Sequence, residues 1–287
     1  MKKLGLYLGC TIPTEQYGYE LSIREIMPDF GISLVDLENA SCCGAPFRSI
    51  NLMMQLYLSA RNIALCEEKG LDMYAPCSQC HLSLSETIHR LNNSDVLREK
   101  IVKKLKDEEG LTYTGKLQVY HTVDLLYDEI GVSAIKKKVK KPLGWNVACH
   151  YGCHTVRYSD IERPDRAEHP SKMEDIITAI GGNTHDYSEK LNCCGAPLMI
   201  NHKESALTKA GEKIKAIQDR EFDAAAIVCP FGGRLMDSKQ KQAADTIGEK
   251  LHLPVFYLTQ LIGLAMGKDE KKLGINLNAT SQYILDH

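Results

Sequence analysis

Nine of the eleven cysteines in this chain fall into two sets with similar spacing. The first set consists of Cys10, the adjacent pair Cys42 and Cys43, and Cys77 with Cys80. The second consists of Cys153, the adjacent pair Cys193 and Cys194, and Cys229. Residues 41–46 and 192–197 read SCCGAP and NCCGAP, so each pair continues into the same Gly-Ala-Pro turn. Thiolates at such spacing bind soft metals or carry out thiol–disulfide redox chemistry.

Three kinds of thiol site compete for these cysteines. A zinc ion takes four ligands in a tetrahedron, which five cysteines exceed and adjacent cysteines suit poorly. A thioredoxin-like pair at Cys77 and Cys80 leaves the repeated cysteine pairs unexplained. An iron–sulfur cluster contains several irons and bridging sulfides, so adjacent thiolates and additional ligands are accommodated. The matched spacing also argues against scattered structural cysteines, and cluster binding is the prediction. Cys66, which has no counterpart, is predicted to be a packed core residue.

Several histidines and arginines lie next to these cysteines in the chain. His81 follows Cys80, and His150 and His154 flank Cys153. Cleaving a disulfide generates thiolates that need protons, and an imidazole titrating near neutrality can supply them. His154 is the candidate catalytic residue, although each histidine could instead make a supporting hydrogen bond to a backbone carbonyl or a sulfur. Arg48 and Arg157 are candidates for binding an anionic group of a substrate, and His121 is expected only to pack.

The elements that position the cysteines are repeated as well. Amphipathic helices are predicted over residues 18–30 and 171–180, each closed by a glycine, Gly31 or Gly182. Long helices follow the cysteine pairs at 51–68 and 203–222, and short strands then end at Cys77 and Cys229. A strand running into a helix recurs at 116–130 and 253–266.

This alternation predicts an α/β protein made of two pseudo-symmetric halves. The expected halves are residues 1–138 and 145–287, joined by a basic segment near 136–144. The cysteines then lie at the ends of strands or the starts of helices, where several loops converge on one point.

Composition and charge narrow the function classes further. A net charge of −2 gives no reason to expect nucleic acid or an anionic membrane as a partner. The apolar stretch before Cys10 has six residues, fewer than a signal peptide needs, and no stretch approaches a membrane span. We therefore expect a cytoplasmic protein with reduced thiols. There is no G-x-G-x-x-G motif, phosphate-binding loop or ferredoxin-type cysteine run, so electrons are expected to come through partner proteins.

The duplicated pattern C-x31-CCG-x32-C-x-x-C resembles the CCG cysteine-rich domain found in the B subunit of heterodisulfide reductase and in related oxidoreductases. The resemblance implies that Cys10, Cys42, Cys43, Cys77 and Cys80 hold a noncubane 4Fe-4S cluster. It implies a second cluster at Cys153, Cys193, Cys194 and Cys229. The last cysteine of that set is replaced by Gly232, so the type of the second cluster stays open. Cys149, four residues before Cys153, could supply the missing ligand or be a buried cysteine beside a strand.

The same resemblance implies a function and partners. The chain would be the catalytic B-type subunit that cleaves or forms a disulfide, such as the mixed disulfide of coenzyme M and coenzyme B, or that handles protein-bound sulfane sulfur. Its partners would be a ferredoxin-like C subunit and a flavin-containing A subunit. The alternative is an electron-transfer subunit whose second site holds a conventional 4Fe-4S or 2Fe-2S relay cluster.

Overall fold

The computed structural model describes residues 1–158 and 160–285. Seven strands form two separate sheets. They are β1 (Lys2–Leu6), β2 (Ile32–Asp36), β3 (Asp72–Tyr74), β4 (Val119–Tyr120), β5 (Val147–His150), β6 (Ala224–Ile227) and β7 (Val255–Tyr257). The first sheet has the order β2-β1-β3-β4 and the second the order β5-β6-β7. All pairs are parallel, as expected when a helix returns the chain between strands.

Fourteen helices are found within the described residues. They are α1 (Ile12–Glu15), α2 (Tyr17–Ile26), α3 (Leu52–Glu68), α4 (Ser78–Asn92), α5 (Asp95–Glu109), α6 (Thr122–Asp124), α7 (Val132–Lys138), α8 (Cys153–Val156), α9 (Lys172–Ala179), α10 (Lys203–Gln218), α11 (Pro230–Gly232), α12 (Gln240–Ile247), α13 (Leu258–Ala265) and α14 (Gln282–Leu285). Short 3-10 turns lie at Met27–Phe30, Ala45–Phe47, Ala196–Leu198 and Ile275–Leu277, and π-helical turns at Leu125–Gly131 and Gly233–Ser238. No helix of the described chain is both long and apolar enough to cross a membrane.

Local chemistry explains where the main helices begin and what they bury. The side chain of Asn51 accepts a hydrogen bond from Met54 N at 3.1 Å and so caps α3, the helix that follows the first cysteine pair. Helix α3 buries an apolar face that includes Leu56 and Ile63, and Cys66 lies fully buried on this helix. The prediction that Cys66 is a core residue is confirmed.

The predicted duplication is confirmed, with three differences between the halves. In the part of the chain that the structure describes, the second sheet has no strand matching β2, and a single bridge between Asn146 and Asn183 lies at that place. Helix α5 has 15 residues, whereas α12, which takes the same place between the matching elements of the second half, has 8. The glycine expected to close the helix of the second half was Gly182, but α9 ends at Ala179 and Gly181 adopts the left-handed conformation. That prediction was wrong by one residue. A 3-10 turn, Met27–Phe30, leads from α2 to Gly31 in the first half, whereas only Ile180 separates α9 from Gly181 in the second.

The halves meet through helices α2 and α13. The rings of Tyr19 and Tyr257 stack with centroids 4.0 Å apart and planes 5° from parallel. The hydroxyl of Tyr19 lies 3.3 Å from the carbonyl oxygen of Pro76 and 3.2 Å from that of Val228. These carbonyls belong to the residues just before Cys77 and Cys229. The buried side chain of Tyr19 therefore contacts equivalent positions in the two halves.

Candidate functional site

All nine cysteines of the two sets gather where the carboxyl ends of the sheets meet. In the first half the thiols are neighbours in the order Cys10, Cys42, Cys43, Cys80 and Cys77. In the second half Cys153 Sγ lies 4.0 Å from Cys193 Sγ, and Cys194 adjoins Cys193. Cys77 neighbours Cys229, and the charge of Cys194 also acts on Cys229, so the two sets lie close together. The carboxyl edge of a parallel sheet is where open α/β proteins bind ligands.

Neighbouring thiols, and after them backbone amides, lower the pKa of Cys77 and Cys193, while the pKa values of their partners Cys80, Cys153, Cys194 and Cys229 are raised. Cys77 is the N-cap of α4, and hydrogen bonding by the Cys229 and Cys80 thiols and by amides of that first turn lowers its pKa well below the usual range. Gly195 N–H donates to Cys193 Sγ at 3.4 Å. Contact with the Cys153 thiol, and then with that of Cys194, lowers the pKa of Cys193 to about 2. Thiolates are the forms of cysteine that bind metals.

The glycine of each CCG motif is required by geometry. Gly44 has φ 79° and Gly195 has φ 86°, both in the left-handed region. A β-carbon at Gly44 would lie 2.8 Å from the backbone of Gln55 in α3, and one at Gly195 would lie 2.6 Å from Ala206 O in α10. The motif therefore combines a sharp turn with close backbone contact to the helix behind it.

Neutral side chains hold the first cysteine pair. Ser59 and Ser83 donate to the carbonyl oxygen of Cys43 at 2.6 and 2.9 Å. Asn62 donates to the carbonyl of Cys42 at 3.2 Å and accepts from Ser41 N at 2.8 Å.

In the second half, a buried lysine, Lys213, binds the loop that carries the cysteine pair. Lys213 lies 151 residues after Asn62, the offset that separates the cysteine pairs. It is 2 % exposed and donates to the carbonyls of Glu189, Lys190 and Asn192 at 2.8, 3.0 and 2.9 Å. Burial lowers the pKa of Lys213 to about 7, opposed by the charges of the neighbouring Cys194 and Cys193. Sequence reasoning missed this residue, although a lysine on the apolar face of a helix was an available signal.

Cys149 does not face the other thiols of its half. Burial and then the charge of Glu174 raise the pKa of Cys149 well above the usual range, whereas its neighbour in β5, His150, lies within reach of the charge of Cys193. His150 points to the opposite face of β5, because successive side chains of a strand alternate. The expectation that Cys149 replaces the thiolate missing at Gly232 is therefore not supported by its position.

The other histidines divide into supporting and cleft-lining residues. His81 Nε2 lies 3.1 Å from the carbonyl oxygen of Val119, and its Nδ1 lies 3.2 Å from Arg163 Nη2. His121 caps α6 by accepting from Val123 N and lies 3.1 Å from Ser78 Oγ. These two rings are occupied by protein partners. His154 instead lines a cavity, and burial lowers its pKa.

That cavity opens on cysteines of the second set, is also lined by residues next to the CCG turn of the first, and has a volume of about 550 Å³. Cys153 and Cys193 lie on its wall together with His154, Arg48 and Arg157. Arg48 bonds Glu86 at 3.0 Å and lies over the ring of Tyr158 at 4.3 Å. The cavity is thus a cationic opening to the thiols, of a size that admits a small molecule.

The thiols are not arranged around one ion. Among the residues that the structure describes, no three His, Cys, Asp or Glu side chains form a site for a single metal. Several irons with bridging sulfides fill a larger volume than one ion, and the gathering of thiols with its N–H donors fits such a group.

The fold and these thiols define a family. A model of the cysteine-rich CCG domain matches residues 4–85 and 147–234, which include both sets. The chain belongs to the cysteine-rich CCG domain family, and the predicted resemblance is confirmed.

Curated relatives cover nearly the whole chain. The B subunit of the ferredoxin/F(420)H(2)-dependent CoB-CoM heterodisulfide reductase of Methanosarcina acetivorans is 33% identical, over 97% of this chain and 94% of its own. A protein of Archaeoglobus profundus described as similar to the B subunit of heterodisulfide reductase is 32% identical over 99% and 97%. The membrane anchor subunit of the 8-methylmenaquinol:fumarate reductase of Wolinella succinogenes is 30% identical over 96% of both chains. These relatives are named as parts of reductases, which places the chain among the oxidoreductases.

A solved structure shares the fold. A hypothetical protein from Helicobacter pylori superposes with a TM-score of 0.79 at 16% identity, over 97% of this chain and 52% of its own. This likeness concerns the fold alone.

Proposed function

We propose that this chain is the catalytic B-type subunit of a heterodisulfide-reductase-like complex. The observation that carries the proposal is the gathering of nine thiols at the junction of the halves, where Cys77 lies beside Cys229 and Cys229 lies within reach of the charge of Cys194. Cys10, Cys42, Cys43, Cys77 and Cys80 would hold a noncubane 4Fe-4S cluster, and Cys153, Cys193, Cys194 and Cys229 a second iron–sulfur cluster. Bound there, the clusters would supply electrons one at a time and accept substrate sulfur at iron.

The residues around the cavity match a disulfide substrate with an anionic group. Reductive cleavage breaks one S–S bond and takes up two electrons and two protons. Arg48 and Arg157 would bind the anionic group by charge-assisted hydrogen bonds and so orient the disulfide. His154, on the same wall, would give a proton to a departing thiolate. Protein-bound sulfane sulfur could enter the same cavity.

Electrons must reach this site through other proteins. The proposed donors are a ferredoxin-like C subunit and a flavin-containing A subunit. The second candidate function, an electron-transfer subunit with a relay cluster in the second half, is favoured by one observation, the replacement of the fifth cysteine by Gly232.

Anaerobic purification followed by iron, sulfide and zinc analysis tests the clusters. About eight irons correspond to two 4Fe-4S clusters and about six to one 4Fe-4S and one 2Fe-2S cluster. Stoichiometric zinc without acid-labile sulfide would contradict the proposal.

Turnover with an artificial low-potential dye and an anionic disulfide tests the enzyme. Arg157→Met is expected to raise KM about tenfold or more, because a charge-assisted hydrogen bond contributes roughly 1.5–3 kcal/mol. An uncharged disulfide should show no such change. Cluster reduction without turnover of any sulfur substrate would favour the relay function instead.

A further inference from the structure

The side chain of His150 lies where a fifth cysteine of the second set would project. Gly232 occupies the place of Cys80, since it follows Cys229 at the same distance. A β-carbon at Gly232 would have Cδ2 of His150 as its nearest heavy atom, 3.5 Å away. The imidazole therefore borders the space that a thiolate at position 232 would enter.

Both ring nitrogens of His150 lack a partner within the described chain. The residue is 1 % exposed, and neither Nδ1 nor Nε2 makes a hydrogen bond. A neutral imidazole carries one N–H donor and one lone pair, and buried polar groups are almost always satisfied. His81 and His121, which are similarly buried, have partners on both ring nitrogens. The ring nitrogens of His150 are therefore available to bind a group that is not part of the polypeptide.

In the first half, which has the fifth cysteine, the position equivalent to His150 is occupied by Tyr7. Tyr7 precedes Cys10 by the same three residues that separate His150 from Cys153. Its hydroxyl donates to the carbonyl oxygen of Ser41 at 2.7 Å, so it is satisfied by the protein. The two halves therefore differ together at two places, with Tyr7 and Cys80 in one and His150 and Gly232 in the other.

We propose that the imidazole of His150 is an iron ligand of the second cluster, in the coordination position left by the missing cysteine. This inference rests on the proposed function, because it requires a cluster at Cys153, Cys193, Cys194 and Cys229. Imidazole in place of thiolate is established iron–sulfur chemistry and raises the reduction potential, since a neutral ligand replaces an anion. The second cluster then has mixed sulfur and nitrogen ligation, unlike the first.

Pulsed EPR of the whole protein, purified anaerobically with and without ¹⁵N-labelled histidine, tests this ligand. The expected result is a strong nitrogen coupling to the second cluster that changes with the label, is lost in His150→Ala and persists in His154→Gln. Tyr7→Phe is the matched control and should leave the coupling unchanged. If His150→Ala does not fold, the labelled, unsubstituted protein still shows whether a histidine binds the second cluster, and the labelled His154→Gln variant shows whether it is His154.

A ligand exchange gives an independent reading. The position of Gly232 admits a β-carbon at ordinary contact distances, so the double variant His150→Tyr/Gly232→Cys is expected to lose the nitrogen coupling and move the second spectrum toward the first. A second cluster without histidine coupling, or with coupling lost in His154→Gln, would overturn the ligand assignment and leave the cluster proposal standing. Absence of any second cluster, read from the iron content, would overturn both.

Discussion

The two halves hold their cysteine pairs with the same backbone but with different charges. In the first half, Asn62 and two serines bind the loop, and all donors are neutral. In the second half, the ammonium of Lys213 binds three carbonyls of the loop. The second set also has one thiolate fewer. The lysine and the missing thiolate together can make the second site two charge units more positive than the first. This difference affects the reduction potential of a bound cluster more than it affects the fold.

The largest expected effects come from removing equivalent thiolates. Cys43→Ala should abolish the first cluster's spectrum and sulfur-substrate turnover, because both clusters are proposed to take part in cleaving the substrate. Cys194→Ala should remove a different signal and leave the first spectrum intact. Anaerobic EPR and dye-driven turnover measure both.

The control for this pair is Cys66→Ala, which changes a buried cysteine outside both sets and should keep both spectra. Identical spectra from the two sites of the unsubstituted protein would contradict the asymmetry and indicate two equivalent clusters.

An intermediate effect is expected at Lys213. A unit charge within roughly 10 Å contributes about 1.7 kcal/mol at an effective dielectric constant of about 20, equivalent to roughly 70 mV for one electron. Lys213→Met should lower the potential of the second cluster by about that amount in an EPR-monitored redox titration. Since burial lowers the pKa of Lys213 to about 7, the potential of the unsubstituted protein should fall as pH rises through 7, and that of the variant should not.

The first half provides the reverse experiment. Asn62→Lys should raise the potential of the first cluster, while Asn62→Met should change it much less. Equal potentials in Lys213→Met and the unsubstituted protein would show that the ammonium does not act on the cluster.

The smallest effect concerns stability. Asp124 accepts from His121 N at 2.7 Å, and Gln260 accepts from Tyr257 N at 2.9 Å in the matching helix start. Burial raises the pKa of Asp124 to about 7, from an ordinary value of 3.8. Between these pH values the folded state binds more protons than the unfolded state, so stability falls as pH rises through this window.

Asp124→Asn should therefore flatten the decline in apparent melting temperature between pH 5 and pH 8, a difference on the order of 2 kcal/mol. Gln260→Glu should introduce a similar decline. A slope that is unchanged in Asp124→Asn would assign the dependence to other groups.

The sequence was sufficient for the repeat, the α/β class and the gathering of the cysteines, because offset motifs and strand–helix alternation are local signals. It was not sufficient for contacts that depend on how the halves meet. The neighbourhood of Cys77 and Cys229, and the hydroxyl of Tyr19 between Pro76 and Val228, arise only from tertiary packing. Cys149 was considered as a ligand because of its distance along the chain, whereas alternation along β5 places His150 on the other face.

Helix α2 of the first half packs on α13 of the second, and α9 of the second half packs on α7 of the first, a reciprocal arrangement that two separate copies of one half could also form. In a homodimer every substitution would occur on both sides of the axis at once, so neither site could lose a cysteine without the other. Joining the halves in one chain removes that restriction. Because the two halves are encoded separately within one chain, one site can have five cysteines while its twin has a lysine, a histidine and a glycine at the matching places.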